Sequence, residues 1–238
     1  MLKNVKKALI IVTSHAALGE TGRKTGFYYE ELATPYWEFV KAGYSVDIAS
    51  INGGIAPADP GSIKSPDKQS KYVNNFLNDK NCMNKINTTK SILDIDPKNY
   101  QIVFLPGGHG TMWDFAQSED LATLLSKCYQ NGAILGSVCH GVAGLLNVNT
   151  VDGIPIVKNR RVNSFTASEE QDAGLYDVVP FILETELKKR GAHFECADNF
   201  EPYVVSDDRL VTGQNPASSG LVAAAVLKAA NHFYNNKE

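Results

Sequence analysis

The chain has 238 residues, enough to bury a substantial core in one large domain or two small ones. Hydrophobic residues make up 43% and charged residues 21%, the balance of an ordinary soluble globular protein. A formal net charge of −3 supplies no positive field toward nucleic acid or an anionic membrane, and no apolar run is long enough to cross a bilayer.

Lysines precede the first apolar stretch, Ala8 to Val12. That stretch is too short for the core of a signal peptide and lacks a small-residue cleavage site, so it reads as a buried strand of a cytoplasmic protein. Ala8–Thr13 is this first strand, and Leu32, Tyr36, Phe39 and Val40 give helical spacing to Phe27–Lys41. Ser45–Ser50 is a second strand, followed by a loop rich in glycine and proline. The polar segment from about Ser70 to Ile92 predicts short helices lying over the core. Gln101–Leu105 is a strand stopped by Pro106-Gly107-Gly108, Glu119–Gln130 a helix, and Ala133–Val138 a strand running into Cys139. Further on, Val178–Arg190 predicts a helix, His193–Ala197, Tyr203–Ser206 and Arg209–Thr212 strands, and Pro216 to Phe233 a small-residue helix. Strands alternating with helices imply a mostly parallel sheet covered on both faces. No linker or repeat interrupts the chain, so residues 1–238 read as a single α/β domain with a small inserted cap near residues 52–92.

The four cysteines, at 82, 128, 139 and 196, show no C-x-x-C spacing, and in a cytoplasmic chain they are free thiols. A free cysteine is by default a small buried hydrophobe. Cys139 is set apart by its context, Ser137-Val138-Cys139-His140-Gly141. This is the small-x-nucleophile-x-glycine pattern of a nucleophile elbow, in which a sharp turn strains the central residue and small neighbours make room. Helix-like residues follow, so the thiol is expected at a helix N-terminus, which favours the thiolate. The backbone N–H of His140 is placed for an oxyanion hole. Cys128 shares a helical stripe with Leu121, Leu124 and Leu125 and reads as core; Cys82 and Cys196 read as structural or incidental.

In open parallel sheets, sites form where the carboxyl ends of strands meet. One such end opens into Pro106-Gly107-Gly108-His109-Gly110, a loop whose amides suit an oxyanion; as a phosphate loop it is weak. Another, Thr13-Ser14-His15, leads to a helix carrying Glu30 and Glu31. Adjacent on a helix, these two face about 100° apart and cannot both enter the site; solvated carboxylates at a helix start are the default for both. His15 and His109 lie near the site by topology, while His193 and His232 have no assigned role. Five scattered histidines without H-x-H or H-E-x-x-H spacing supply no ligand set, so no metal is expected.

Four ordered motifs carry a resemblance. They are Thr25-Gly26-Phe27-Tyr28-Tyr29-Glu30-Glu31-Leu32-Ala33-Thr34-Pro35, Pro106-Gly107-Gly108-His109-Gly110, Val138-Cys139-His140-Gly141, and Thr212-Gly213-Gln214-Asn215-Pro216-Ala217-Ser218. Together, from near residue 8 to about 230, they resemble the ThiJ/PfpI superfamily of the class I glutamine-amidotransferase-like fold. The group most similar is the glutathione-independent glyoxalases, or D-lactate dehydratases, with their stress-chaperone relatives. The resemblance implies a three-layer sandwich around a flavodoxin-like, mostly parallel sheet. It implies Cys139 as nucleophile, His140 as neighbouring acid/base and Glu31, rather than Glu30, as the acidic partner. Within Phe165-Thr166-Ala167-Ser168-Glu169-Glu170 it implies Glu170 as the third member of a triad, with Glu169 the alternative. The expected activity is a cofactor-free carbon–oxygen lyase acting on small reactive aldehydes: attack on a 2-oxoaldehyde such as methylglyoxal gives a hemithioacetal, Gly107, Gly108 and His109 serve oxyanion and substrate, and D-lactate is released. The expected assembly is a homodimer. The same thiolate also suits an amidase, peptidase or deglycase, and a non-catalytic holdase or oxidation sensor would expose the same residue.

Overall fold

The computed structural model describes residues 6–235; the lysine at position 3, part of the lysine cluster before the first strand, lies outside them. In chain order the elements are β1 (Lys7–Val12), α1 (Tyr29–Lys41), β2 (Ser45–Ser50), β3 (Asn52–Gly54), α2 (Lys71–Asn78), α3 (Lys80–Asn87), β4 (Thr89–Ser91), β5 (Ile102–Leu105), α4 (Thr111–Asp114), α5 (Glu119–Gln130), β6 (Ile134–Val138), β7 (Arg161–Val162), α6 (Ala167–Asp172), α7 (Leu183–Lys189), β8 (His193–Phe194), β9 (Val204–Asp207), β10 (Leu210–Gly213) and α8 (Ser219–Asn235).

The central strands are apolar on both faces, as strands sandwiched between helical layers must be. With a side-chain period of two, Leu9, Ile11, Val103, Leu105 and Leu135 enter one core with Leu121, Leu125 and Cys128 of α5. Ala8, Ile10, Val12, Ile102, Phe104 and Ile134 enter the other, with Leu32 and Phe39 of α1 and Val222 and Val226 of α8. The eight-stranded sheet runs β3-β4-β2-β1-β5-β6-β10-β9. Its strands are parallel except β3 and β9, which run antiparallel to their neighbours at the two edges. The inner order β2-β1-β5-β6-β10 is the flavodoxin-like one, and it gathers the carboxyl ends of β1, β5 and β6 at one edge of the sheet.

Several elements depart from the sequence expectation. Residues 52–92 hold α2 and α3, but also β3 and β4, which pair beside β2 and lengthen the sheet. The helix expected over Val178–Arg190 begins only at Leu183, because Pro180 lacks an N–H and bars helical geometry at the residue before it. The strand expected at His193–Ala197 is two residues long and pairs with β7, which no apolar pattern announces. It stops because β7 itself ends at Val162, where the next N–H, of Asn163, turns to the Thr212 hydroxyl at 2.9 Å. The segment Cys139–Leu145 is a 3₁₀ turn rather than an α-helix; α-helical dipole arguments at Cys139 therefore do not apply.

Candidate active site

β6 ends in extended geometry at Val138, and the next residue reverses the chain: Cys139 has φ 58°. A non-glycine residue held there costs on the order of 1–3 kcal/mol. Gly141 makes the turn possible, because a Cβ at that position would lie 2.3 Å from the carbonyl oxygen of Leu105. Cys139 is buried, 4% exposed. Burial, then the negative charge of Glu31, pushes its thiol well above the ordinary value, while the His140 backbone N–H donates to the sulfur and opposes that rise.

α1 presents its two glutamates to different environments. Glu31 is completely buried and its Oε2 accepts the Gly107 N–H at 2.6 Å. Burial pushes its carboxyl up to about 8, against the opposing pull of the Cys139 thiol and the Gly107 amide. The thiol meets this carboxyl, yet Oε1 has no partner with full hydrogen-bond geometry; we take the pair as a close polar contact. Glu30 turns away and accepts the Thr34 hydroxyl at 2.6 Å. The Gly107 bond corrects the expectation that this amide serves an oxyanion: it is committed to Glu31. Gly107 must also lack a side chain, since a Cβ would meet the amide nitrogens of His140 and Gly141 at 2.7 and 2.8 Å.

On the other side of the sulfur, Cys139 Sγ lies 3.2 Å from His140 Nδ1, and His140 Nε2 lies 2.7 Å from Glu170 Oε2. Glu170 Oε1 lies 2.7 Å from His109 Nε2, so one carboxylate serves two rings whose centroids are 4.0 Å apart. Burial, then the neighbouring His109, lowers the His140 pKa, and Glu170 works against that. Burial alone would raise Glu170, but the two histidines hold it well below the usual carboxylate range. Glu169 takes no part in this relay. It closes a capping box at the start of α6, exchanging bonds with Thr166. The Thr-x-x-Glu spacing of Thr166 and Glu169 was the sequence signal that separates the two glutamates.

The site opens into a cavity of about 300 Å³ bordered by Tyr28, Gly108, His109, Cys139, His140 and Phe165. Leu18, Arg23, Asp59, Gly61, Leu175, Phe200 and Pro216 complete it; Tyr28, Phe165 and Pro216 fell within quoted motifs, but sequence reasoning assigned no site role to Leu18, Arg23, Asp59, Gly61, Leu175 or Phe200, because no local pattern marks a cavity wall. His15 is elsewhere, stacked on Trp113 at 5.2 Å. The donor atoms of His109, His140 and Glu170 lie within 4.8 Å of one another, close enough to hold a metal ion. Sequence spacing offered no such set, and here the carboxylate is engaged by both rings.

Fold and geometry together define a class: a doubly wound α/β protein with a cysteine–histidine–glutamate constellation on a strand-end elbow. Comparison with known proteins places it further. The DJ-1/PfpI family profile matches residues 24–229, and the chain belongs to that family. It is 32% identical to a Schizosaccharomyces pombe protein named glutathione-independent glyoxalase, over 94% of this chain and 97% of that one. It is 30% identical to glyoxalase 3 of Candida albicans, over 94% and 98%. Among solved structures, glyoxalase III of Candida albicans superposes with a TM-score of 0.87 at 29% identity, covering 94% of this chain and 97% of that one. The Francisella tularensis Rapid Encystment Protein 24 KDa does so with a TM-score of 0.90 at 36% identity, covering 95% and 99%.

Proposed function

We propose that this protein is a glutathione-independent glyoxalase that converts methylglyoxal-type 2-oxoaldehydes to 2-hydroxy acids through Cys139. The observation that carries the reading is the placement of one buried sulfur between His140 Nδ1 at 3.2 Å and the Glu31 carboxyl. The relatives named as glyoxalases support the reaction class. Near neutral pH Glu31, raised to about 8, carries a proton, so it can donate toward the sulfur or toward the oxygen that forms.

The sulfur adds to the aldehyde carbon, forming the C–S bond, and the aldehyde oxygen takes a proton to give a hemithioacetal. Gly108 at the cavity is the group we assign to that oxygen, joined by the His140 backbone N–H, which leaves the sulfur once the C–S bond has taken its electron pair. His140, with its far nitrogen on Glu170, removes the C1 proton; an enediol forms, and a proton returns to C2. C1 is thereby oxidised and C2 reduced within one molecule, so the electrons balance internally. Water then cleaves the thioester, releasing the 2-hydroxy acid, D-lactate from methylglyoxal, and the free thiol. Cys139 occupies the role that a glutathione thiol would otherwise fill. A homodimer in the cytoplasm completes the proposal, and the four free cysteines suit a reducing compartment.

The test is direct. Purified protein is given methylglyoxal without glutathione, and lactate is measured beside Cys139→Ala. Lactate from wild type and a loss of at least about 10³-fold in the variant are expected. No lactate from a wild type whose Cys139 still alkylates would remove the glyoxalase assignment.

A further inference from the structure

Phe200 holds a backbone conformation that its side chain disfavours. Its φ is 64°, a region where a bulky residue is an outlier, and strain of this kind gathers at ligand clamps. The structure holds it there deliberately. Its N–H donates to Glu169 Oε1 at 2.9 Å, and Glu169 is fully buried. That carboxylate is fixed in turn by the Asn215 side chain and the Thr166 N–H, each at 2.9 Å. The preceding residue, Asn199, donates to Asp172 and accepts from Ser168, both at 2.6 Å, which ties the loop to α6.

The ring is consequently presented at the cavity, half exposed at 50%, instead of in the core. Phe165 lies 6.3 Å from it, and the Phe165 ring is 4.5 Å from that of His140. A line of aromatic surface therefore leads outward from the catalytic histidine, with Leu18 and Leu175 also on the cavity. The volume, about 300 Å³, is far more than a three-carbon oxoaldehyde fills, since roughly 10–15 Å³ of such space admits a water.

We infer that Phe165 and Phe200 form a subsite for an aromatic-sized apolar substituent on the carbon next to the aldehyde. Bulky oxoaldehydes are then favoured over methylglyoxal. This rests on the glyoxalase reading above. Glu169 is a positioning residue here, acting through the Phe200 backbone.

The test compares kcat/KM for phenylglyoxal and methylglyoxal, without glutathione, in wild type, Phe200→Gly and Phe200→Tyr. Glycine suits the left-handed backbone, so Phe200→Gly removes the ring without adding strain. Wild type is expected to favour phenylglyoxal; Phe200→Gly loses that preference by about tenfold, the effect of one ring's apolar contact, and Phe200→Tyr keeps it. A wild type that uses methylglyoxal equally well or better overturns the subsite and leaves the glyoxalase reading intact. An unchanged preference in Phe200→Gly does the same. Turnover of neither aldehyde removes both.

Discussion

Glu31 receives the Gly107 backbone amide at 2.6 Å across 76 residues of sequence, and this bond joins the first helix to the glycine loop beside Cys139. It holds one carboxyl oxygen and turns the carboxyl toward Cys139. A carboxylic acid buried beside a thiol is a coupled pair, since both cannot ionise cheaply.

That coupling sets the pH behaviour of the thiol. Ionised Glu31 opposes the thiolate, so Glu31→Gln should bring the pH midpoint of Cys139 alkylation down. Iodoacetamide rates followed from neutral to strongly alkaline pH give the comparison, and superimposable profiles would show the two groups to be independent.

The same carboxyl imposes a stability slope of known sign. Glu31 rises from 4.5 to about 8 on folding, so between those values the folded chain holds a proton that the unfolded chain has lost. Its contribution is complete below about pH 4.5 and is lost as pH rises through about 8. Glu31→Gln should flatten this slope, by about 5 kcal/mol at most between the extremes. Urea denaturation at several pH values reads it; parallel slopes in both proteins would contradict the assignment.

Glu170 and Glu169 are neighbours with separable tasks. Glu170→Gln leaves one amide where two histidine rings require acceptors, and turnover should drop about 10²-fold or more. The acid limb of kcat/KM should also move to lower pH, because the carboxylate supports the His140 pKa against burial and His109. Glu169→Gln turns one of two buried acceptor oxygens into an NH2, which faces either the Thr166 N–H or the Phe200 and Asn215 donors, and should cost about 1–3 kcal/mol, lowering Tm by several degrees. The reverse pattern, with Glu169→Gln alone abolishing the pH limb, would reassign the triad.

Two glycines should respond in opposite directions. Gly107→Ala drives a Cβ against backbone nitrogens at 2.7 and 2.8 Å, which cannot move aside, so both stability and turnover should fall. Gly220 lies in α8 with only Thr34 Cγ2 nearby, at 3.9 Å. Gly220→Ala should stabilise the helix by about 0.5–1 kcal/mol. Thermal melts of the two variants decide; a neutral Gly107→Ala would mean the loop is looser than this geometry.

Much of the layered architecture follows from local chemistry. Ala8–Val12 and Ile102–Leu105 are apolar without interruption, and this marks strands covered on both faces whatever their partners. The elbow at Cys139 is equally local, because a strained turn needs small neighbours wherever it occurs. By contrast, β3, β4 and β7 are short strands whose residues carry little apolar signal; only pairing across the fold makes them strands. Pro180 was a local stop signal inside the helix expected over Val178–Arg190.

The amino-acid sequence alone determined that Cys139 stands on a turn at the end of a buried strand, since that depends on residues within a few positions of it. Which glutamate enters the site, that one carboxylate is shared by His140 and His109, and that the Gly107 amide belongs to Glu31 were decided by tertiary structure. These are contacts between segments 30 to 76 residues apart. Burial and charge at such contacts depend on the surroundings of a side chain in space, which its sequence neighbours do not specify. Phe200 is the clearest case: only the buried Glu169 beneath its backbone turns an ordinary loop phenylalanine toward the cavity.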